Sequence, residues 1–137
     1  MMISTRWNGD VLGSGISESA NMSIPLALPS EFGGTGMAAG PKDLFVASTA
    51  ACFLMTLRVM LAKSSIEPLS LKIESHVSVE AEKFAITHHA YITLEKQADF
   101  DRTLKIVIMA DKNCWIGSLA KKAGVAINVI PELTVQV

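Results

Sequence analysis

Residues 44–62 constrain this chain more than any other stretch. The run is apolar almost throughout, and as a helix rising about 1.5 Å per residue it would cross most of a bilayer. Ser48, Thr49, Thr56 and Arg58 interrupt it, no second such run exists, and its flanks alternate like strands. It therefore reads as a helix buried in a soluble fold rather than as a membrane span. Pro41 opens the helix, Asp43 stands where the helix dipole favours a carboxylate, and residues 63–65 followed by Pro68 close it. Phe45, Val46, Phe53, Leu54, Met55, Leu57, Met60 and Leu61 cannot share one face, so the helix needs cover on several sides. A chain of 137 residues has little material to supply that cover, which predicts a homodimer.

The remainder reads as strands and shorter helices. Residues 5–11 and 22–28 form strands, the second an edge strand because of Pro25, with Gly13 and Gly15 near a turn. Residues 29–40, glycine-rich at Gly33, Gly34 and Gly36, form an irregular connector without a phosphate-binding pattern. Residues 69–80 and 85–94 alternate and predict an antiparallel pair. A helix over 100–112 follows, capped by Asp99 or Asp101, then a helical turn over 118–122 and a last strand over 125–137 bent at Pro131. Strands, long helix, strands, helix, strand make an α+β pattern in a single domain, 1–137, without repeats or linkers.

Charge and composition narrow the function. Twelve basic residues against thirteen acidic ones, with 6% aromatics, argue against a nucleic-acid partner and against an anionic membrane surface. The N-terminus carries no apolar core of a secretory signal, and two cysteines are too few for a disulfide scaffold, so the expected compartment is the cytoplasm. His76, His88 and His89 read as solvent-facing strand residues, the adjacent pair projecting to opposite faces, and no metal-ligand spacing is present. That leaves the cysteines. Cys52 lies within the apolar helix and Cys114 just beyond the second helix. Each is either a buried small apolar residue or half of a reactive thiol pair, and reactivity requires a stabilised thiolate.

Gly33-Gly34-Thr35-Gly36, then Gly40-Pro41-Lys42-Asp43-Leu44-Phe45, then Ala50-Ala51-Cys52-Phe53, resemble the OsmC/Ohr family of thiol-dependent hydroperoxide reductases. Asp111-Lys112-Asn113-Cys114 and the ending Val125-Ala126-Ile127-Asn128-Val129 extend the resemblance over nearly the whole chain. It implies an intertwined α+β homodimer with antiparallel sheets wrapped around a long central cysteine-bearing helix. It also implies that Cys52 attacks the O–O bond of an organic hydroperoxide and becomes a sulfenic acid, which Cys114 resolves as a disulfide. A dithiol or lipoylated protein then acts as reductant, with no metal, flavin or haem.

The family's reductases place a Glu after the motif proline, and that Glu holds an N-terminal Arg that lowers the thiol pKa. Here Lys42 takes that position, Asp43 follows it, and Arg6 is the one Arg before Cys52. Lys42, Asp43 and Arg6 are therefore the candidates for an activating charge. Trp115 stands where the family usually has Pro. The alternative expectation is a non-catalytic protein of this fold that binds an apolar ligand at the dimer interface, suggested by the methionine-rich helix and the missing Glu–Arg pair.

Overall fold

Alternating sequence becomes strand in both halves of the chain, and the apolar run becomes one uninterrupted helix. The computed structural model describes residues 1–80 and 83–136, and by its internal packing the chain divides into two units, Met1–Phe45 and Val46–Val137. Val137, the last residue of the expected final strand, lies outside the described residues.

The N-terminal unit is an antiparallel sheet of β1 (Ser4–Asn8), β2 (Ser14–Ser19) and β3 (Met22–Leu26) in that order. β2 was not expected, because Gly13 and Gly15 suggest a turn there. Gly15 instead pairs with Trp7 inside the sheet, and the turn falls earlier, where the Gly13 N–H donates to the Asp10 carbonyl. The glycine-rich connector is tightly closed rather than plain. The Gly34 N–H donates to Pro29 and the Gly36 N–H to Leu28. A Cβ at Gly34 would stand 2.0 Å from the Leu28 carbonyl oxygen, so only glycine fits there.

Helix α1 (Pro41–Lys63) begins as expected: the Asp43 carboxylate accepts the Gly40 N–H at 2.8 Å, satisfying a donor at the helix start. Its length and composition alone would suffice to cross a membrane. Its buried residues nevertheless form the stripe of a core helix, Thr49, Phe53, Leu57 and Leu61, one turn apart. Phe53, Leu57 and Leu61 of that stripe pack with Ala90, Ile92 and Leu94 and with Ile106, Val107 and Ala110. Burial of each large apolar side chain contributes about 1.5–3 kcal/mol. The other side carries Met55, 67% exposed, and Val59, 52% exposed.

The second sheet has the order β4 (Ser70–Glu80), β5 (Lys83–Leu94), β6 (Ala126–Val135). β4 and β5 pair antiparallel as expected, while β5 and β6 pair parallel. Parallel neighbours need a crossover, and α2 (Phe100–Asn113) with α3 (Trp115–Lys122) supplies it. β6 runs through Pro131 without a break. Asp99 precedes α2 but makes no side-chain cap, because a 3-10 turn over Gln97–Asp99 already places it in helical geometry. α3 begins at Trp115, three residues earlier than the expected turn, and that extra turn decides the site.

Candidate thiol site

Cys52 lies on α1 beside the buried stripe, half-buried, and packs against the cluster that contains Cys114. Cys114 links two helices. It ends α2, adopts an extended backbone (φ −74°, ψ 110°) and caps α3, its Sγ accepting the Gly117 N–H at 3.4 Å. Its carbonyl accepts both the N–H and the hydroxyl of Ser118, at 2.9 and 2.8 Å. Only 2% of Cys114 is exposed. A Cβ at Gly117 would approach the Cys114 sulfur to 3.2 Å, so the glycine makes room for it.

The two thiols are driven in opposite directions. Burial acts to raise the Cys52 thiol. Hydrogen bonds from the Cys114 side chain, from the backbone N–H groups of Ile116 and Trp115, and from the Thr56 hydroxyl outweigh burial, and the net displacement from the ordinary 9.0 is downward. The Thr56 hydroxyl donates to the Cys52 carbonyl at 2.7 Å, so its one proton must rotate to serve the sulfur and its help is the weakest. Cys114 is pushed up to about 11 by burial and by donating to Cys52, with the nearby Cys52 and Asp111 charges adding and the Gly117 N–H opposing. The arrangement favours a thiolate at Cys52 and a protonated donor at Cys114.

The groups that lower Cys52 are thus uncharged donors on α1 and at the α2–α3 junction. The charges considered from sequence are placed as follows. Arg6 is ion-paired with Glu18 at 3.3 Å on the first sheet, Asp43 serves the helix start, and Lys42 is exposed. Arg58 pairs with Glu67. Sequence reasoning missed the amides of Trp115 and Ile116, since a backbone donor has no residue signature beyond the onset of a helix.

His88 departs from expectation. It is 1% exposed, stacks on Phe53 (5.7 Å between ring centroids) and bonds Ser75 through Nδ1 at 2.7 Å. Its Nε2 has no hydrogen-bond partner among the described residues. Burial pushes its pKa below the ordinary 6.5, against the nearby Asp111 charge and reinforced by Lys121. The signal was available: His88 shares the strand phase of Ile86, Ala90 and Ile92, all of which face the core. His76 and His89 lie on the opposite, more open face. Among the described residues no three His, Cys, Asp or Glu side chains are grouped to hold a metal ion.

Comparison with known proteins agrees with this architecture. YmaD of Bacillus subtilis strain 168, an uncharacterised protein, is 26% identical over 122 residues, covering 83% of this chain and 81% of YmaD. The crystal structure of an OsmC-like protein from Mycoplasma pneumoniae matches with a TM-score of 0.78 at 20% identity, covering 97% of this chain and 96% of that one. The organic hydroperoxide resistance protein OsmC from Legionella pneumophila matches with a TM-score of 0.69 at 26% identity, covering 100% and 98%. Residues 34–130 match the OsmC-like protein family, and the chain belongs to that family.

Proposed function

We propose that this chain reduces organic hydroperoxides, with Cys52 as the attacking thiolate and Cys114 as the resolving thiol. The observation that carries this reading is that both thiols pack in one cluster, with the Cys52 thiol displaced downward and the Cys114 thiol pushed up to about 11. Relatives described as organic hydroperoxide resistance proteins, from Legionella pneumophila and Bacillus subtilis, support a role in peroxide resistance.

The Cys52 thiolate attacks the terminal oxygen of the hydroperoxide. An S–O bond forms, the O–O bond breaks, and the alkoxide leaves and takes a proton from solvent to become an alcohol. Cys114 then attacks the sulfenic sulfur. The S–S bond forms, the S–O bond breaks, and the departing hydroxide combines with the Cys114 proton as water. An external dithiol or lipoylated protein returns the pair to thiols by exchange. Lys42, Asp43 and Arg6 are retained as candidate charges that assist ionisation or orient the peroxide. A homodimer is part of the proposal, since it would cover Met55 and Val59.

Turnover of cumene hydroperoxide with a dithiol tests the reading. Wild type is expected to consume the peroxide and form a Cys52–Cys114 disulfide, and Cys52→Ser to lose activity by at least about a thousandfold. Equal rates for the two would overturn it. The exposed Met55 and Val59 also favour the second reading, an apolar ligand bound between subunits. Native mass spectrometry of the freshly purified protein would show such a ligand as added mass.

A further inference from the structure

We propose that Asp111 and Lys121 are positioning residues: their ion pair straps the end of α2 to α3 across Cys114 and holds that thiol in place for bonding to Cys52. The consequence for catalysis rests on the reading above, in which Cys114 resolves Cys52. Three observations carry the strap. Lys121 Nζ stands 3.0 Å from both carboxylate oxygens of Asp111, so one ammonium joins the chain on the two sides of Cys114. Among the described residues no other side-chain hydrogen bond or ion pair joins α2 to α3. The pair is also better shielded than one on the open sheet face. Its Lys and Asp side chains are 36% and 23% exposed, against 64% and 47% for Lys72 and Glu74, and shielding strengthens an ion pair. Between the ends of the strap the Cys114 sulfur accepts the Gly117 N–H, its carbonyl accepts the Ser118 hydroxyl, and the residue lies in the cluster against which Cys52 packs. The angle at which α3 leaves α2 therefore sets where this sulfur lies, and fixing that angle raises its effective concentration at Cys52.

The test equilibrates the protein with 2-mercaptoethanol and its disulfide, both uncharged, and counts the Cys52–Cys114 disulfide by mass spectrometry. In this exchange the two protein thiols lose two protons and two electrons, their S–S bond forms, and one mercaptoethanol disulfide becomes two thiols. No hydroperoxide takes part, so the strap is tested apart from the peroxidase reading. Lys121→Met keeps an aliphatic stem and removes the charge. It is expected to lower the equilibrium constant for disulfide formation by about three- to fivefold, and Asp111→Asn to lower it as well. The two substitutions remove charges of opposite sign. A field effect on the thiols would shift the constant in opposite directions, while loss of the strap shifts it the same way. The double variant should lose no more than either single one, because both break one contact. Lys72→Met, which breaks the pair with Glu74 on the sheet, should leave the constant in place.

An unchanged or raised constant in Lys121→Met, opposite shifts in the two single variants, additive losses in the double variant, or an equal loss in Lys72→Met would overturn the inference. If the variants fail to fold, wild type decides. Its constant must fall as ionic strength rises to about 1 M, where the screening length is about 3 Å, and a constant that holds would overturn the strap. Lowered constants in a protein that never consumes hydroperoxide would leave the strap standing and remove the peroxidase reading. A wild type that forms no Cys52–Cys114 disulfide would overturn both.

Discussion

The two cysteines have the same side chain and unlike surroundings. Cys52 is half-buried on a helix flank and gathers donors from a neighbouring helix start, while Cys114 is enclosed and spends its proton on Cys52. Burial raises both thiols, so burial does not distinguish them. Neighbouring donors do: at the first sulfur they outweigh burial, and at the second only the Gly117 amide opposes it. Proximity alone would make a disulfide. In the proposed reaction the difference in protonation would make Cys52 the attacker and Cys114 the resolver, in the way that unlike environments separate paired acids and bases at other active sites.

The largest expected effect comes from removing the resolver. Cys114→Ser keeps an O–H that can donate to Cys52 but forms no disulfide, so the sulfenic acid should persist and be trapped by dimedone. Cys114→Ala also loses the donor, and its Cys52 alkylation midpoint should lie about one pH unit above that of the serine variant. Equal midpoints would break the comparison at its centre. Next comes Gly117→Ala, whose new Cβ would press on the Cys114 sulfur. It should slow disulfide closure by about tenfold, measured by stopped-flow, and alter sulfenate formation much less. Thr56→Val removes the weakest donor to Cys52, and about a two- to threefold loss in alkylation rate at neutral pH is expected.

The smallest effect concerns His88, a buried group outside the thiol pair. Its folded-state pKa lies below the unfolded value of about 6.5, so the unfolded chain binds the additional proton. Stability is then full above that value and falls as pH drops through it toward the folded-state pKa. Thermal melts should show a lower Tm at pH 5 than at pH 7, and His88→Gln should flatten that dependence.

Much of the framework was legible in residue order. The long helix, its proline start and Asp43 cap, the hairpin pair and the second helix all follow from patterns confined to a few turns or a few pleats. β2 and the inward face of His88 were misread for local reasons, one because glycine suggests a turn and the other because histidine suggests solvent. Of the site, sequence supplied the two cysteines and a search for a cation near the first. The structure adds the start of α3 and the side chain of Cys114 to the groups that act to lower the Cys52 thiol.

The sequence by itself determined that this chain carries an apolar central helix bearing one thiol, with a second thiol where another helix stops. Those are properties of neighbours along the chain, written in periodicity and capping. Only the tertiary structure decided which sulfur is held toward the thiolate. The parallel crossover from β5 to β6 brings the α2–α3 junction against α1, and the amides that lower Cys52 belong to residues more than sixty positions away. A backbone N–H is identical in every residue but proline, so its chemistry depends on where the fold aims it.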